Sequence, residues 1–386
     1  MDLSRLPVID NHCHTSTLKK TTLEPLSLAQ EFYHGLGDSL DPSGRSAKGL
    51  VSAARQADIA QFGVVHTLVA QLAALFDCEP TLEAVTAERN RRTAGGLGEY
   101  ARTLYQDAGI VGTVVDSDLA PGAPDFDLTP GRILRLFQMG PAIDRALAAS
   151  ESYDALLGTY LDALEHAVRA DGFIGVKSHL GEVVGFSAAL STAGEGEGAW
   201  PAARAGDGAA YKRLYAAVHH ETMLACQRLN VPVHIHTGIT GGPWDGPIGG
   251  AEPFKLSPLL SRPEYRTSKV VLLHAGYPWV EEASMMAHAY PQVWLDIGWV
   301  TPWTSLRAIE CMRAYMAVAP LSRLMIGTGG HGTPEVAWLG AKVAKLALSA
   351  VLDESVTQGL MPWTSAARVA SMILYENAVA LYGPVV

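Results

Sequence analysis

The chain has 386 residues, of which 48% are hydrophobic, so it can bury a large core. Its net charge of -10 and isoelectric point near 5.7 argue against nucleic acid or an anionic membrane as the main partner. The N-terminus lacks a signal-peptide pattern, no apolar run approaches the ~18 residues that span a bilayer, and the four cysteines are scattered. We therefore expect a cytoplasmic protein without structural disulfides.

The first predicted strand, Leu6–His12, leads into two histidines that are two residues apart, His12 and His14. Residues i and i+2 of a strand point to the same face, so both imidazoles and Asp10 should project together while Cys13 points away. Two imidazoles on one edge are a start for a divalent metal site. The alternative is a surface loop that carries two histidines by chance.

Seven more apolar runs follow, separated by helical patterns. Most are hydrophobic throughout, which is typical of parallel strands covered on both faces. The eight candidate strands are Leu6–His12, Gly63–Val69, Ile110–Val115, Phe173–Lys177, Val231–His236, Lys269–His274, Val293–Ile297 and Arg323–Gly327. Eightfold strand–helix repetition predicts an α/β fold of the (β/α)8 or TIM-barrel type, in one domain of residues 1–386. A doubly wound open sheet is the alternative.

Long connections interrupt this repeat. Ser187–Gly208 and Thr237–Pro263 follow the fourth and fifth candidate strands, so we expect both to be long loops at the C-terminal face of the barrel. The segment Thr364–Leu381 predicts a last helix that packs outside the barrel.

Polar residues stand at the C-terminal ends of the predicted strands, the face at which barrels of this kind build their active sites. They are His12, His14, Lys177, His234, His236, His274 and Asp296. His236 is the stronger ligand candidate on its strand, whereas His234 lies one layer deeper and binds the metal, supports a ligand or packs in the core. His274 is either a ligand or a general acid or base beside the metal. Asp296 either orients a histidine or ends a turn.

Lys177 closes an apolar strand, where a cation is costly unless a carboxylate meets its charge or the charge is removed. Three interpretations stay open for this residue. It binds an anionic group of the substrate, it is carbamylated and bridges metal ions as a carboxylate, or its ammonium reaches solvent.

Four motifs together resemble the amidohydrolase superfamily, and more narrowly the amidohydrolase-related branch that includes domains fused to glutamine-synthetase-like proteins. The motifs are Ile9–His14 (IDNHCH), Gly175–Ser178 (GVKS), His236–Gly238 (HTG) and His274–Pro278 (HAGYP). The resemblance implies a distorted (β/α)8 barrel that holds one or two divalent ions, zinc first and manganese or iron as alternatives. By the same resemblance His12, His14 and His236 are metal ligands, and His274 is a ligand or a catalytic residue. Lys177 is a further candidate ligand in its carbamylated form.

One position departs from the family pattern. The eighth strand of the family ends in Gly-Ser/Thr-Asp, whose aspartate binds metal and takes a proton from water, but this chain has Gly329 there. Glycine can neither ligate nor accept a proton. Three explanations compete: a substitution has inactivated the chain, a neighbour among His331, Asp296 and Glu335 has taken the role, or the chain is a non-catalytic relative.

Aromatic residues are dense in the segments beyond the strands. Trp244, Trp299, Trp303 and Tyr277 can stack on a flat or apolar substrate, or can serve only to pack loops on the barrel.

These features lead to three hypotheses. The first is a metal-dependent hydrolase that cleaves an amide, lactone or related acyl bond of a small, aromatic or carboxylate-bearing molecule, with His274, Lys177 and His331 as catalytic candidates. The second is a non-oxidative decarboxylase or isomerase at the same site. The third is a catalytically silent, ligand-binding barrel. Assembly of copies into a homo-oligomer is left open.

Overall fold

In the computed structural model, eight parallel strands form one sheet whose order follows the chain from β1 to β8. The structure describes residues 1–33, 56–120, 122–188, 193–239 and 248–384. The strands are β1 (Val8–Cys13), β2 (Ile110–Asp116), β3 (Arg132–Gln138), β4 (Gly175–Ser178), β5 (Val233–His236), β6 (Val270–Leu273), β7 (Val293–Asp296) and β8 (Leu324–Met325).

Backbone hydrogen bonds between β1 and the residues just after β8 close this sheet into a ring. The Asn11 N–H donates to the Ile326 carbonyl at 2.8 Å, and the Gly329 N–H donates to the His12 carbonyl at 2.8 Å. The predicted (β/α)8 barrel is therefore confirmed. Because β8 ends beside the middle of β1, the residues that follow β8 are brought directly to the two histidines of the first strand.

One of the eight candidate strands is wrong. The run Gly63–Val69 is the start of a 14-residue helix, Gly63–Phe76, whose buried residues include Val64, Leu68 and Leu72. A short apolar run fits either a buried strand or a buried helix, and here the run continues through further apolar residues and alanines to Phe76. The recurrence of buried positions every three or four residues identifies the helix.

The real third strand, Arg132–Gln138, was missed because two arginines interrupt its apolar pattern. The structure explains how a strand tolerates them. The Arg135 guanidinium lies 4.2 Å from the centroid of the Phe173 ring and donates to the Leu119 carbonyl at 3.0 Å. These two contacts accommodate its charge, while the neighbouring side chains of Leu134 and Leu136 are buried.

Helices surround the barrel and connect its strands. They are α1 (Pro25–Gln30), α2 (Gly63–Phe76), α3 (Leu82–Thr93), α4 (Leu97–Ala108), α5 (Met139–Ala149), α6 (Tyr153–Arg169), α7 (Leu180–Val183), α8 (Ala193–Arg204), α9 (Gly208–Leu229), α10 (Ser257–Leu260), α11 (Val280–Ala289), α12 (Val300–Trp303), α13 (Ala308–Met316), α14 (Pro334–Thr357), α15 (Trp363–Ser371) and α16 (Asn377–Tyr382). The loop expected over Ser187–Gly208 thus contains α8. Of the described helices, none is both long enough and apolar enough to cross a membrane.

The C-terminal segment does more than pack outside the barrel. Ala378 and Leu381 of α16 join the cluster of apolar side chains that fills the barrel interior, against residues such as Ile9, Val271 and Met325. Helix α16 therefore fills part of the barrel core and places Tyr382 next to the polar side chains of Asn11 and His234.

Candidate metal centre

Four histidines from three strands lie side by side at the C-terminal face of the barrel: His12, His14, His236 and His274, here called the histidine cluster. Ring centroids are 5.0 Å apart for His12 and His14, 5.0 Å for His12 and His274, and 4.5 Å for His236 and His274. The structure thus brings together side chains that are up to about 260 residues apart in the sequence.

Three members of the histidine cluster each donate one ring N–H to a backbone carbonyl. The bonds join His14 Nδ1 to Asp116 (3.1 Å), His236 Nε2 to Ile239 (3.1 Å) and His274 Nδ1 to Gly298 (3.0 Å). A carbonyl can only accept, so each bond fixes the tautomer of a neutral ring and leaves the other nitrogen with its lone pair. This is the arrangement that holds histidine ligands in metal sites.

His12 is the exception, and the most informative residue of the cluster. Its side chain is fully buried, and within the described part of the chain neither ring nitrogen has a hydrogen-bond partner. Because a buried polar atom without a partner costs about 1–3 kcal/mol, a ligand bound at the His12 nitrogens would remove this cost.

Loss of hydration keeps the cluster uncharged, although the side chain of His14 is 40% exposed. It lowers the pKa of His12 and of His274 well below the ordinary value, lowers that of His14 to about 4, and also lowers that of His236. At neutral pH these rings are therefore neutral, the protonation state that binds a metal cation.

Asp116, at the end of β2, completes a group that could hold a metal ion. The candidate ligand atoms of His12, His14 and Asp116 all lie within 4.8 Å of one another. Burial alone would raise the pKa of the Asp116 carboxyl, but Lys177 and the nearby histidines outweigh it and hold the pKa below its usual range. The carboxylate is therefore ionised. Sequence analysis missed Asp116, although it follows an apolar strand just as the predicted residues do.

Lys177 is buried, and its ammonium group pairs with a carboxylate of the protein. Its Nζ donates to Asp116 Oδ2 at 2.9 Å, while Gln138 Nε2 donates to Asp116 Oδ1 at 2.7 Å. Of the interpretations given above, an ammonium that reaches solvent is excluded by an exposed fraction of 1%. In this form Lys177 cannot ligate a metal, so its carbamylation stays a prediction.

Asp10 does not join the histidines, contrary to the expectation from strand alternation. A register irregularity between Asp10 and Cys13 breaks the alternation. The Asp10 carboxyl instead accepts bonds from the N–H and the hydroxyl of Thr328, at 2.8 and 2.5 Å. It therefore ties β1 to the segment after β8.

Gly329 sits where only glycine fits. Its φ is +64°, and a Cβ at this position would lie 2.6 Å from the Trp299 Cβ and 2.9 Å from two Trp299 backbone atoms. Trp299 itself has a left-handed φ of 67°. The backbone of Gly329 packs directly against Trp299, so no carboxylate can be placed at position 329 without moving the chain.

The three candidates for the missing aspartate have different surroundings. Glu335 is committed elsewhere, because it forms a fully buried ion pair with Arg89 at 2.7 Å. Asp296 accepts bonds from Asn11 Nδ2 at 3.0 Å and from the Gly298 N–H at 2.8 Å.

His331 Nδ1 donates to the Gly329 carbonyl at 2.9 Å. His331 is also close enough to His14 to contribute, after burial, to the lowered pKa of that ring. His331 therefore lies close to His14, whereas Asp296 accepts a hydrogen bond from the backbone N–H of His274.

A chain of hydrogen bonds runs beneath the cluster, from the C-terminal helix to His274. Tyr382 Oη donates to Asn11 Oδ1 and lies 3.1 Å from His234 Nε2. Asn11 then donates to Asp296, which accepts from the Gly298 N–H, and the Gly298 carbonyl accepts from His274. His234 thus lies in this supporting layer and not at the cluster itself.

Three of the four predicted aromatic residues come together beside His274. The rings of Trp299 and Trp303 are stacked with centroids 4.5 Å apart, the Tyr277 ring meets Trp303 edge-on at 5.5 Å, and Trp299 lies 5.8 Å from the His274 ring. Trp244 lies outside the described residues.

Comparisons with known proteins agree with this geometry. The model of a family described as amidohydrolase matches residues 152–383. Protein fluG of Emericella nidulans is 35% identical over 154 residues, which is 40% of this chain but only 17% of that protein.

Among solved structures, a protein from Lactobacillus casei ATCC 334, provisionally named a metal-dependent hydrolase, has a TM-score of 0.82 at 18% identity and covers 98% of this chain and 96% of its own. Glucuronate isomerase from Caulobacter crescentus has a TM-score of 0.67 at 15% identity and covers 98% of this chain and 91% of its own. At these identities the two structures show a shared fold.

Proposed function

Because the chain belongs to the amidohydrolase family, we propose that it is a metal-dependent hydrolase that cleaves an amide, lactone or related acyl bond of a small molecule. The observation that carries the proposal is the state of the histidine cluster. Backbone carbonyls hold three of its rings each in a defined neutral tautomer, and two of these rings, His14 and His274, lie 5.0 Å from the ring of His12, whose two buried nitrogens have no partner among the described residues. This donor set fits a divalent metal ion.

His12, His14 and Asp116 are the residues that would hold the ion, and their mixture of imidazole and carboxylate suits zinc, with manganese or iron as alternatives. A bound divalent ion supplies a Lewis acid and makes water more acidic at neutral pH. Lys177 keeps Asp116 ionised and oriented through its 2.9 Å bond.

His274 is the residue best placed to move a proton. Its Nδ1–H is held by the Gly298 carbonyl, so its Nε2 carries the lone pair, and burial lowers the pKa of the ring so that it is neutral at pH 7. It also contacts both His12 and His236. A neutral, oriented imidazole of this kind can accept a proton at Nε2, the role for which Gly329 offers no side chain.

The stacked pair Trp299 and Trp303 supports a flat or partly aromatic substrate. The pair lies directly beside His274, and Tyr277 extends it. Rings in this position can stack on a planar group and hold it against the histidine cluster.

A reaction that does not consume water, isomerisation or decarboxylation, is the second candidate. Gly329 is the observation that favours it, because the position that supplies the water-activating carboxylate in the family pattern is closed by Trp299. A catalytically silent barrel remains the third hypothesis.

The test begins with the metal. Purified protein is analysed by inductively coupled plasma mass spectrometry, stripped with a chelator and reloaded with zinc, manganese or iron. A panel of small amides, lactones, esters and carboxylic acids is then assayed by mass spectrometry in 18O-labelled water. We expect bound metal, label in the product, loss of activity on stripping and recovery on reloading.

Matched variants locate the effect. His12→Asn should lose both metal and activity, whereas His166→Asn, at a histidine on α6 that is 71% exposed, should keep both. Turnover without label, or with release of carbon dioxide, favours the second candidate. A protein that binds no metal after reloading, or that turns over equally well without it, contradicts the proposal.

A further inference from the structure

His274 has a main-chain conformation that few residue types adopt. Its φ is +64°, and the next residue, Ala275, has a φ of +45°. A left-handed conformation costs a residue with a Cβ about 1–2 kcal/mol, so contacts around this turn must hold it in place. Both residues are buried just after β6, in the turn that places the His274 ring beside His12 and His236.

The side chain of Asp296 supplies one of these contacts. It is fully buried at the end of β7, where a carboxylate is costly unless its oxygens are hydrogen-bonded. It accepts from Asn11 Nδ2 at 3.0 Å, from the Gly298 N–H at 2.8 Å and from the main-chain N–H of His274. The carboxylate therefore joins β1, the loop after β7 and the turn after β6.

Two glycines leave room for this carboxylate. A Cβ at position 298 would lie 2.6 Å from Asp296 Oδ1, and a Cβ at position 327 would lie closer still to Oδ2. Both distances are far shorter than a van der Waals contact. Neither Gly298 nor Gly327 has a left-handed φ, so the space that Asp296 occupies, and not the backbone, requires glycine at these positions.

The same group of residues fixes the His274 ring. The Nδ1–H of the ring donates to the Gly298 carbonyl at 3.0 Å, and the Gly298 N–H is held by Asp296 Oδ1. His274 is therefore held at two points, because Asp296 binds its main chain directly and also binds the residue whose carbonyl fixes its tautomer. The nitrogen left with the lone pair is Nε2.

We propose that Asp296 is the positioning residue of His274. Its carboxylate holds the left-handed turn and the Gly298 carbonyl in place together, so the ring stays in the Nδ1–H tautomer with its lone pair on Nε2. The inference rests on the proposed function for the role of His274 as a proton acceptor. Of the two interpretations that the sequence left open for Asp296, orientation of a histidine is the one that these contacts support.

The experiment reads the tautomer of His274 in the metal-free full chain. Histidine rings are labelled with 15N, long-range 1H–15N correlation spectra are recorded at neutral pH, and the His274 signals are identified by their absence in His274→Gln. We expect a protonated Nδ1 and an unprotonated Nε2 in the wild type, and exchange between the two neutral tautomers in Asp296→Ala. Asp296→Asn keeps an oxygen that can accept the Gly298 N–H, so it should recover the single tautomer.

Two further variants separate positioning from a general loss of stability. Gly298→Ala places a methyl group against Asp296 Oδ1 and disrupts the same bond while the carboxylate stays, so it should also lose the single tautomer, and it decides the question if Asp296→Ala does not fold. Asp10→Ala removes an equally buried carboxylate that binds Thr328, so it should be destabilised but keep the His274 tautomer.

Once a substrate of the proposed reaction is known, Asp296→Ala should also lower kcat, by no more than the roughly 10²–10⁴-fold that a general base contributes, and leave KM unchanged. Any of four results overturns the inference: mixed tautomers in the wild type, a single tautomer in folded Asp296→Ala or Gly298→Ala, no recovery in Asp296→Asn, or an equal loss in Asp10→Ala. The spectra need neither metal nor substrate. A chain that binds no metal contradicts the proposed function, while the His274 tautomer still shows whether Asp296 positions the ring.

Discussion

Replacement of Gly329 by alanine probes the feature that separates this chain from its family pattern. The residue has a left-handed φ of +64°, and its missing Cβ would lie 2.6 Å from the Trp299 Cβ. If the backbone here is built for glycine, even one methyl group must destabilise the folded protein. If the glycine merely replaces a lost aspartate, a side chain should be accommodated at little cost.

The magnitude has two parts. A left-handed conformation costs a non-glycine residue about 1–2 kcal/mol, and forcing an extra carbon into a packed site costs about 1–3 kcal/mol. Gly329→Ala should therefore lose about 2–5 kcal/mol of the free energy of unfolding. For 386 residues the entropy of unfolding is about 0.8 kcal/mol/K, so Tm should fall by about 2–6 °C.

Gly359→Ala is the matched control. Gly359 has a φ of +72° but nothing within 4 Å of its missing Cβ, so alanine there meets only the conformational cost. Urea denaturation and differential scanning calorimetry of both variants should show Gly329→Ala to be less stable than Gly359→Ala by about 1–3 kcal/mol. Gly329→Asp should be destabilised at least as much and should gain no metal affinity.

Equal stability of the two alanine variants would refute the packing explanation. A stable Gly329→Asp variant with new or increased activity would show instead that the glycine marks a lost catalytic group, as the silent-barrel hypothesis requires.

Three further predictions concern buried polar groups. Arg89→Met should destabilise the protein by about 3–5 kcal/mol because it leaves Glu335 buried without its partner, and adding Glu335→Leu should recover much of the loss in urea denaturation. Tyr382→Phe removes the bond to Asn11 and should cost about 1–3 kcal/mol, whereas unchanged stability would mean that the chain of bonds below the cluster is not formed. Burial lowers the pKa of His219 to about 3. As the pH is lowered below 6.5, the histidine therefore takes up a proton in the unfolded chain but not in the folded one, and the free energy of unfolding decreases. His219→Gln should therefore lose about 2 kcal/mol less than the wild type between pH 7.5 and pH 5, as measured by urea denaturation at each pH.

The barrel was predictable because its strands are short apolar runs that end in polar residues, a pattern visible in β5 and β6. The two errors have one cause. Apolar content alone does not distinguish Gly63–Val69, the start of a helix, from a buried strand. It also fails to identify the strand Arg132–Gln138, because that strand contains two arginines. Periodicity over a longer window identifies the first, but the cation–aromatic contact that accommodates Arg135 depends on distant Phe173.

The histidine cluster was predictable in its members but not in its partners. Asp116 followed the same strand-end rule and could have been selected. The bond from the His274 main chain to Asp296 could not, because it depends on how the turn after β6 folds against the end of β7. The fit of Gly329 against Trp299 likewise exists only between two loops that are distant in sequence.

Anomalous X-ray scattering from crystals grown with zinc tests most directly whether the histidines at the C-terminal face hold a metal ion. Data collected on both sides of the zinc absorption edge should give a strong peak within about 2.0–2.2 Å of ligand atoms of His12, His14 and Asp116. Density at this position without an anomalous signal, or anomalous peaks only at other residues, would show that His12 does not bind a metal ion and would contradict the proposed function.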